Sequence, residues 1–504
     1  MAVLGPRFYQ ALLGGITILM GLLFLSSRLF VYYNRYNDDL GLSIFNGKLP
    51  SIPEYDSVTP EVNIPDSAQH APSTQNTPSE SLESPSPTSF SGSSASLQEF
   101  DPAWNNKSTW PQWSKSQRPT DPTVAPPTNH MLHEEVDKYV HSILDFGDKW
   151  PFDRVSCPAE IGARYQKLRD EEENRLVRYF FALNLHEAVD ALPQLMSSIF
   201  EAVKYLGAKH CAVSIVDNES QDGTWEILEA LKPWLDSMDV PYFLASSRHS
   251  LSRRDDASQA TLADLRNQAL EPLKATGEEP VQALSSMYSP EAVVIFLDNI
   301  VLCPEDILEL VFQHINQGAQ MTCAFDWAFN GTVFFDVWES RSLAGNTFFE
   351  IQPDGSLLGS NEMFFDDQPN KLRFDDFQPL QVYSCWGGMA TLNAVSFAED
   401  VIRFRPAEQT EADCYMSETV LLAKDLFSQG LGKILAVPSV NVAYSDNEAT
   451  EMKHTRGYVH DHVDSSRSAL DEGETVQWQP APPDMIKCLA HSDQVAWTEW
   501  IESI

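Results

Sequence analysis

AVSIVDNESQDGTWEIL, residues 212–228, is the stretch from which the rest of the chain can be read. Val213, Ile215 and Val216 form an apolar β-branched run, the kind of sequence that fits a pleated strand, and the run stops at Asp217. A polar turn follows, and helical spacing begins near Gly223. A strand ending in a carboxylate, with Asp222 a few residues on and a helix behind it, suits holding a nucleotide at the carboxyl end of a parallel strand. The local alternative is that Asp222 or Thr224 caps the next helix, since short polar side chains satisfy free N–H groups there. The chain has no Walker loop, GxGxxG, HExxH or GxSxG.

Strand-like and helix-like patterns alternate on both sides of this segment. Residues 178–185 read as a first strand, and 191–206 as a helix through Leu192, Leu195, Ile199 and Val203. A helix over 224–235, a short strand over 241–246 and a helix over 259–273 follow. Residues 292–297 (AVVIFL) are a continuous apolar run, as expected of a strand buried on both faces. A helix starts after Pro304, a residue suited to the first helical position. Residues 321–325 and 437–444 read as later strands. Repeated β-α-β units give an α/β class with a mainly parallel central sheet and helices on both sides. That layer runs into an α+β second half.

Several polar residues sit at ends of these elements. Arg266, in the helix after the third strand, is placed to meet a donor phosphate with its planar fork. Asp298 ends the most apolar strand and is positioned to ligate Mg2+ or Mn2+ bridging a diphosphate, because hard cations take oxygen ligands and leave positions open for substrate. Glu305 and Asp306 follow in the first turn of the next helix, either as further metal ligands or as favourable charge at a helix N-terminus. In Cys385-Trp386-Gly387-Gly388-Met389, paired glycines allow the backbone to approach a ligand closely, and Trp386 is available to stack on a sugar. Glu411 and Asp413, after the basic pair Arg403 and Arg405, are candidates to bind acceptor hydroxyls or assist the reaction.

Composition sets the wider frame. The formal charge of −38 argues against nucleic-acid binding. Residues 1–7 form a short tail, and 8–27 are a charge-free, mostly apolar run of the length that spans a bilayer as a helix. Leu25-Ser26-Ser27 is a poor cleavage site, so the run reads as an uncleaved signal-anchor. Arg28 and Arg35 after it, against Arg7 before it, lean the wrong way for a lumenal body. Residues 28–129 form a stem, rich in Ser and Pro from about residue 50, with little to bury and an expectation of disorder. Residues 130–504 form the large globular body. Asn106, Asn218 and Asn330 begin glycosylation sequons, Asn218 lying in the proposed site. The seven cysteines include no CxxC pair, which argues against zinc. In an oxidising compartment some would pair with at least one left over. Cys211, Cys303 and Cys323, in or near apolar strands, read as buried free thiols. Anchor, stem and body together are the layout of a single-pass enzyme of the Golgi or another secretory compartment, with a lumenal catalytic domain.

Nine segments, in order, resemble the fungal capsule-associated α-1,3-mannosyltransferase family, glycosyltransferase family 69. They are FFALNLHEAVDALP, LGAKHCAVSIVDNESQDGTWEIL, LADLRNQALEPL, VIFLDNIVLCPEDILELV, CAFDWAFNGTVFFDVWESRSLAG, VYSCWGGMATLNAVSF, RFRPAEQTEADCYMSE, VPSVNVAYS and PPDMIKCL. The resemblance implies a GT-A-like nucleotide-sugar-binding fold, GDP-mannose as donor, a glycan acceptor, an α-1,3 linkage and retained anomeric configuration. Asp217 and Asp222 would then hold the guanosine half and Arg266 would lie near the diphosphate. Asp298 would sit at the metal, and Trp386, Gly387, Glu411 and Asp413 would shape the sugar and acceptor region. The chain departs from the family in three places. Asp298-Asn299-Ile300 replaces Asn-Asp-Val, Asp413-Cys414-Tyr415-Met416 replaces Glu-Cys-Cys-Leu, and Glu418 and Val420 take the following His and Asp positions. These departures support an alternative, a catalytically weak or inactive transferase-like partner in a glycan assembly complex. A third reading, an anchored enzyme facing the cytosol, follows from Arg28 and Arg35.

Overall fold

The computed structural model describes residues 133–147, 152–169, 176–247, 256–274, 288–351, 362–407, 416–491 and 494–500. The anchor over 8–27, the stem over 28–129, and Glu411 and Asp413 lie outside these residues. Within them, no helix is long and apolar enough to cross a membrane.

The chain enters through α1 (His133–Leu144) and then alternates β1 (Val177–Leu185), α2 (Leu192–Leu206), β2 (Cys211–Asp217), α3 (Thr224–Ser237), β3 (Tyr242–Ser246), α4 (Asp256–Leu270), β4 (Tyr288–Leu297), α5 (Pro304–Gln317) and β5 (Met321–Ala328). The second half is less regular. It holds β6 (Val333–Phe334), α6 (Gln368–Asp375), β7 (Leu380–Gln381), β8 (Met389–Asn393), α7 (Ala394–Ala398), α8 (Glu418–Ser428), β9 (Ile434–Val442), α9 (Asp446–Arg456) and α10 (Val459–His462). A separate antiparallel hairpin, β10 (Met485–His491) and β11 (Gln494–Glu499), follows.

The main sheet has the order β3-β2-β1-β4-β8-β5-β9-β7, with β6 added on β5. β1 to β4 run parallel, as do β5 and β9, whereas β8 is antiparallel to both of its neighbours and β7 to β9. This is a mixed α/β fold with a large, mostly parallel sheet. Side-chain alternation along the strands feeds two cores. Phe180, Phe296 and Phe325 pack on one face; Phe181, Ile215, Leu183 and Leu297 pack on the other. Burial on both faces explains why the strands read as continuous apolar runs.

Register places the site. Leu185 of β1 pairs with Asp217, Asp217 pairs with Ser246, and Leu183 pairs with Leu297, so the carboxyl ends of β1 to β4 form one edge. β8 starts opposite Leu297 at Met389, which brings Trp386, Gly387 and Gly388 alongside the end of β4. The Asp298 N–H then donates to the Gly388 carbonyl at 2.9 Å.

The cysteine reading needs correction. Cys303 bonds to Cys157 and Cys323 to Cys385, and Cys488 is also disulfide-bonded. Only Cys211 is a buried free thiol among the described residues. Local hydrophobicity showed that these cysteines are buried, but their partners come from segments 146 and 62 residues away.

Candidate active site

The turn that follows β2 is braced against the turn that follows β1. Three successive backbone N–H groups, of Glu187, Ala188 and Val189, donate to Ser220 Oγ, Thr224 Oγ1 and Asp222 Oδ2, each at 2.9 Å. The other Asp222 oxygen accepts from Thr224 N at 3.0 Å and Thr224 Oγ1 at 2.7 Å. Asp222 thus braces the turn before α3 and accepts from the helix's first residue, but the N-cap position itself is Gly223, so neither Asp222 nor Thr224 is the capping residue. Asp217 is buried and accepts from Ser220 N at 3.3 Å. Both carboxylates shape the loop edge from within. Asn218 is buried with them, which removes its sequon from solvent, while Asn330 lies exposed in a turn after β5.

Asp298 is the partly open carboxylate of the edge, with a quarter of its side chain exposed. Trp386 Nε1 donates to its Oδ2 at 2.5 Å, and the two Nη groups of Arg266 approach its oxygens at 3.3 and 3.5 Å. Arg266, on α4, also donates through Nε to Glu418 at 3.0 Å, at the start of α8. Its guanidinium lies 4.0 Å from the Trp386 ring centre, with Phe296 and Phe404 around it. Burial alone would lower its pKa; Asp298, Glu418 and Glu339 together hold it above its ordinary value. Strand alternation still governs Asp298, which shares the side of Phe296 with Trp386.

This geometry revises the roles expected of Trp386 and Gly387. The indole is buried, one face against Arg266 and its N–H on Asp298, so it orients the carboxylate instead of offering a free face to a sugar. Gly387 has φ +61°, and a Cβ there would lie 2.0 Å from the Ala324 carbonyl oxygen. The close approach is real, but it is to strand β5. Gly387 N donates to Asp336 Oδ2 at 2.6 Å.

Through Gly387 the site reaches acids that the sequence reading did not single out, although Asp326 directly follows the strand expected over 321–325. Asp336 N donates to Asp326 Oδ1 at 3.1 Å, and the Tyr444 hydroxyl donates to Asp326 Oδ2. Ser417 and Thr419 hydroxyls both donate to Glu339 Oε2, tying α8 to the segment after β6. Burial pushes the Asp326 carboxyl up to about 7 and the Glu418 carboxyl to about 7. Asp336 is held well above its ordinary value by burial and then by Asp326 and Glu339. Asp326, Asp336 and Glu339 all lie in CAFDWAFNGTVFFDVWESR. The signal available was a set of carboxylates embedded in aromatic sequence, where an acid is costly unless the fold partners it.

Glu305 and Asp306 do not join Asp298. Asp306 accepts from Cys303 N at 2.8 Å and from Lys453 Nζ at 2.8 and 3.0 Å, fully buried. Glu305 accepts from the Tyr165 hydroxyl at 3.3 Å and lies 2.9 Å from His460 Nδ1. Both secure the start of α5 against other elements, which is the helix N-terminal role and not that of metal ligands. Among the described residues no three His, Cys, Asp or Glu side chains form a group able to hold a metal ion. What the edge does supply is the Asp298 carboxylate and, next to it, Asn299 Oδ1, a buried oxygen without a hydrogen-bond partner among the described residues. Two hard oxygen donors suit a cation of the kind that protein carboxylates hold in part and substrate phosphates complete.

Residues 178–425 match the family described as Cryptococcal mannosyltransferase 1, a span that includes every described residue of this site except Tyr444. The chain is 30% identical over 336 residues to Alpha-1,3-mannosyltransferase CMT1 of Cryptococcus neoformans var. neoformans serotype D, covering 64% of this chain and 70% of that protein. Among solved structures it is similar to S. aureus TarS 1-349, at 12% identity and TM-score 0.31, covering 53% of this chain and 60% of that one. It is also similar to the mannosyltransferase PcManGT from Pyrobaculum calidifontis in complex with GDP-Man and Mn2+, at 14% identity and TM-score 0.29, covering 56% and 62%. The chain belongs to the cryptococcal mannosyltransferase 1 family, and with it to the mannosyltransferases.

Proposed function

We propose that the protein transfers mannose from GDP-mannose to a mannose-containing acceptor in α-1,3 linkage with retention of configuration, held at a Golgi or other secretory membrane by residues 8–27. The observation that carries the chemical part is Asp298. It is a partly exposed carboxylate at the carboxyl end of β4, fixed by Arg266 and Trp386, on the same sheet edge as the braced β2–α3 turn. Membership of a mannosyltransferase family supports the sugar, and the relative's α-1,3 activity supports the linkage.

In this reading the Asp217–Asp222 turn receives the nucleoside half, its shape fixed by the hydrogen bonds to residues 187–189. Asp298 and Asn299 are the residues that would hold Mn2+ or Mg2+, which would supply positive charge to offset that of the leaving diphosphate. Arg266 keeps Asp298 oriented and balances the acids around it, preorganisation that avoids rearrangement during the reaction. The bond from mannose C1 to the phosphate oxygen breaks while the acceptor O3 bonds to C1 on the same face. The acceptor proton passes to the departing phosphate oxygen, so no protein base is required. Glu411 and Asp413 are assigned to the acceptor side.

The test is a GDP-mannose transfer and hydrolysis assay on the purified chain, with and without chelator. Chelation, and Asp298→Asn, should each lower turnover by about 10²-fold or more. GDP binding with no turnover of any nucleotide sugar would instead favour the inactive-partner reading.

A further inference from the structure

A recess lies beside Trp327, the residue after Asp326. Its cavity of about 140 Å³ is lined by Trp327, Phe374, Asp375, Phe377, Asn441 and Arg456. Most of the polar groups here are already committed. Trp327 Nε1 donates to Asn441 Oδ1 at 2.6 Å, and Asn441 Nδ2 donates to the Pro438 carbonyl at 2.9 Å. The Asp375 carboxylate lies 3.5 Å from Lys371 Nζ. One face of Phe377 is stacked on His462 at 3.5 Å.

Arg456 differs. It ends α9, and its guanidinium lies 3.6 Å from the centre of the Trp327 ring. Nε donates to the Gly331 carbonyl at 2.8 Å. Among the described residues its Nη groups meet no acceptor, and no carboxylate lies within ion-pair distance. Arg164, Arg266 and Arg405, by contrast, are all ion-paired. Burial draws the Arg456 pKa down to about 10 without a neighbouring acid to restore it, and the group stays protonated at neutral pH. In a chain of charge −38, this is a half-buried cation over an indole, its Nη donors without an acceptor among the described residues. That fork matches a carboxylate or a phosphate.

We infer that the recess is an acceptor-side subsite that takes an anionic substituent, a carboxylate or a phosphate ester, on the carbohydrate receiving mannose. The inference rests on the mannose-transfer reading above. Asp326 and Trp327 are neighbours near the carboxyl end of β5 and project to opposite faces, so a glycan crossing that edge passes from the acidic cluster to Arg456. The cavity is well below the size that encloses a whole drug-sized ligand, which fits one charged substituent with the rest of the chain outside.

The experiment is calorimetric titration of the full chain with methyl α-mannoside, its 6-phosphate and its 6-carboxylate. The charged probes should bind about tenfold or more tightly than the neutral one. That preference should shrink with salt, vanish in Arg456→Gln and survive in part in Arg456→Lys. Comparison of the two charged probes separates phosphate from carboxylate. Equal affinity for all three, no binding of any, or an unchanged preference in a folded Arg456→Gln overturns the inference. The wild-type comparison stands even where a variant fails to fold. GDP-mannose hydrolysis is measured on the same sample. Hydrolysis without charge preference removes only the subsite, whereas charge preference without donor turnover removes the transfer reading and leaves an anion site.

Discussion

Gly387, in the site, and Lys453, away from it against the start of α5, show how single residues hold the structure in place. Gly387 combines a left-handed backbone with a position where any Cβ meets the Ala324 carbonyl at 2.0 Å. Gly387→Ala must push the turn away from β5 and carry Trp386 with it. We expect a loss of about 2–5 kcal/mol by denaturant titration, with turnover falling further than stability because Asp298 loses its Trp386 partner. Lys453 has a different role. It is buried against Asp306 and the Asn441 carbonyl, so it neutralises a carboxylate that also caps α5. Removing one member of such a pair leaves an uncompensated buried charge. Lys453→Ala should cost about 3–5 kcal/mol, and adding Asp306→Asn should recover part of that loss. An additive double variant would show that the two residues are not coupled.

At the scale of elements, the site depends on β8 arriving between β4 and β5, and the Cys323–Cys385 bond fixes that arrival. The bond closes a segment of 62 residues. On the chain-entropy account it is worth roughly 4 kcal/mol, so replacing both cysteines by alanine should lower the unfolding midpoint accordingly. Turnover should fall as well, since Trp386 follows Cys385 directly. An unchanged midpoint would mean that packing alone holds the turn. The parallel half of the sheet was legible because each strand and helix carries its own periodicity, and β1, α2, β2 and α3 differ from their expected bounds by only a few residues. Asp298 was legible for the same reason, as the polar end of an apolar run. Three things were not. The antiparallel β8 and the two-residue β7 have too little sequence to show a period. Asp326, Asp336 and Glu339 gain meaning only when β8 and α8 return to meet them. The Trp386-Gly387 pair announced close backbone approach without naming what is approached. Each of these is settled by a contact distant in sequence, which no local pattern encodes.

At the scale of the whole molecule, acidity is concentrated inward as well as spread over the chain. Asp326 lies in a fully buried setting with Asp336 beside it and Asp298 near enough to add to its shift. Burial first, with a smaller push from the Asp298 charge and against the hydrogen bonds from Tyr444 and the Asp336 N–H, raises its carboxyl to about 7, against about 4 in an unfolded chain. Between these values the folded state holds a proton that the unfolded state has released. Stability from this group is therefore greatest below about pH 4, falls as pH rises towards about 7, and is level above that. The urea midpoint of the intact chain should accordingly drop between pH 5 and pH 8 at low salt. Asp326→Asn keeps an oxygen for Asp336 N and an amide that the Tyr444 hydroxyl can accept from, while removing the charge. That variant should lose much of the decline and be relatively more stable at pH 8 than at pH 5. It should also ease the ionisation of Asp336, whose second-largest perturbation is the Asp326 charge. A decline of the same slope in the variant would locate the pH sensitivity elsewhere in the chain and show that Asp326 is ionised at little cost where it stands.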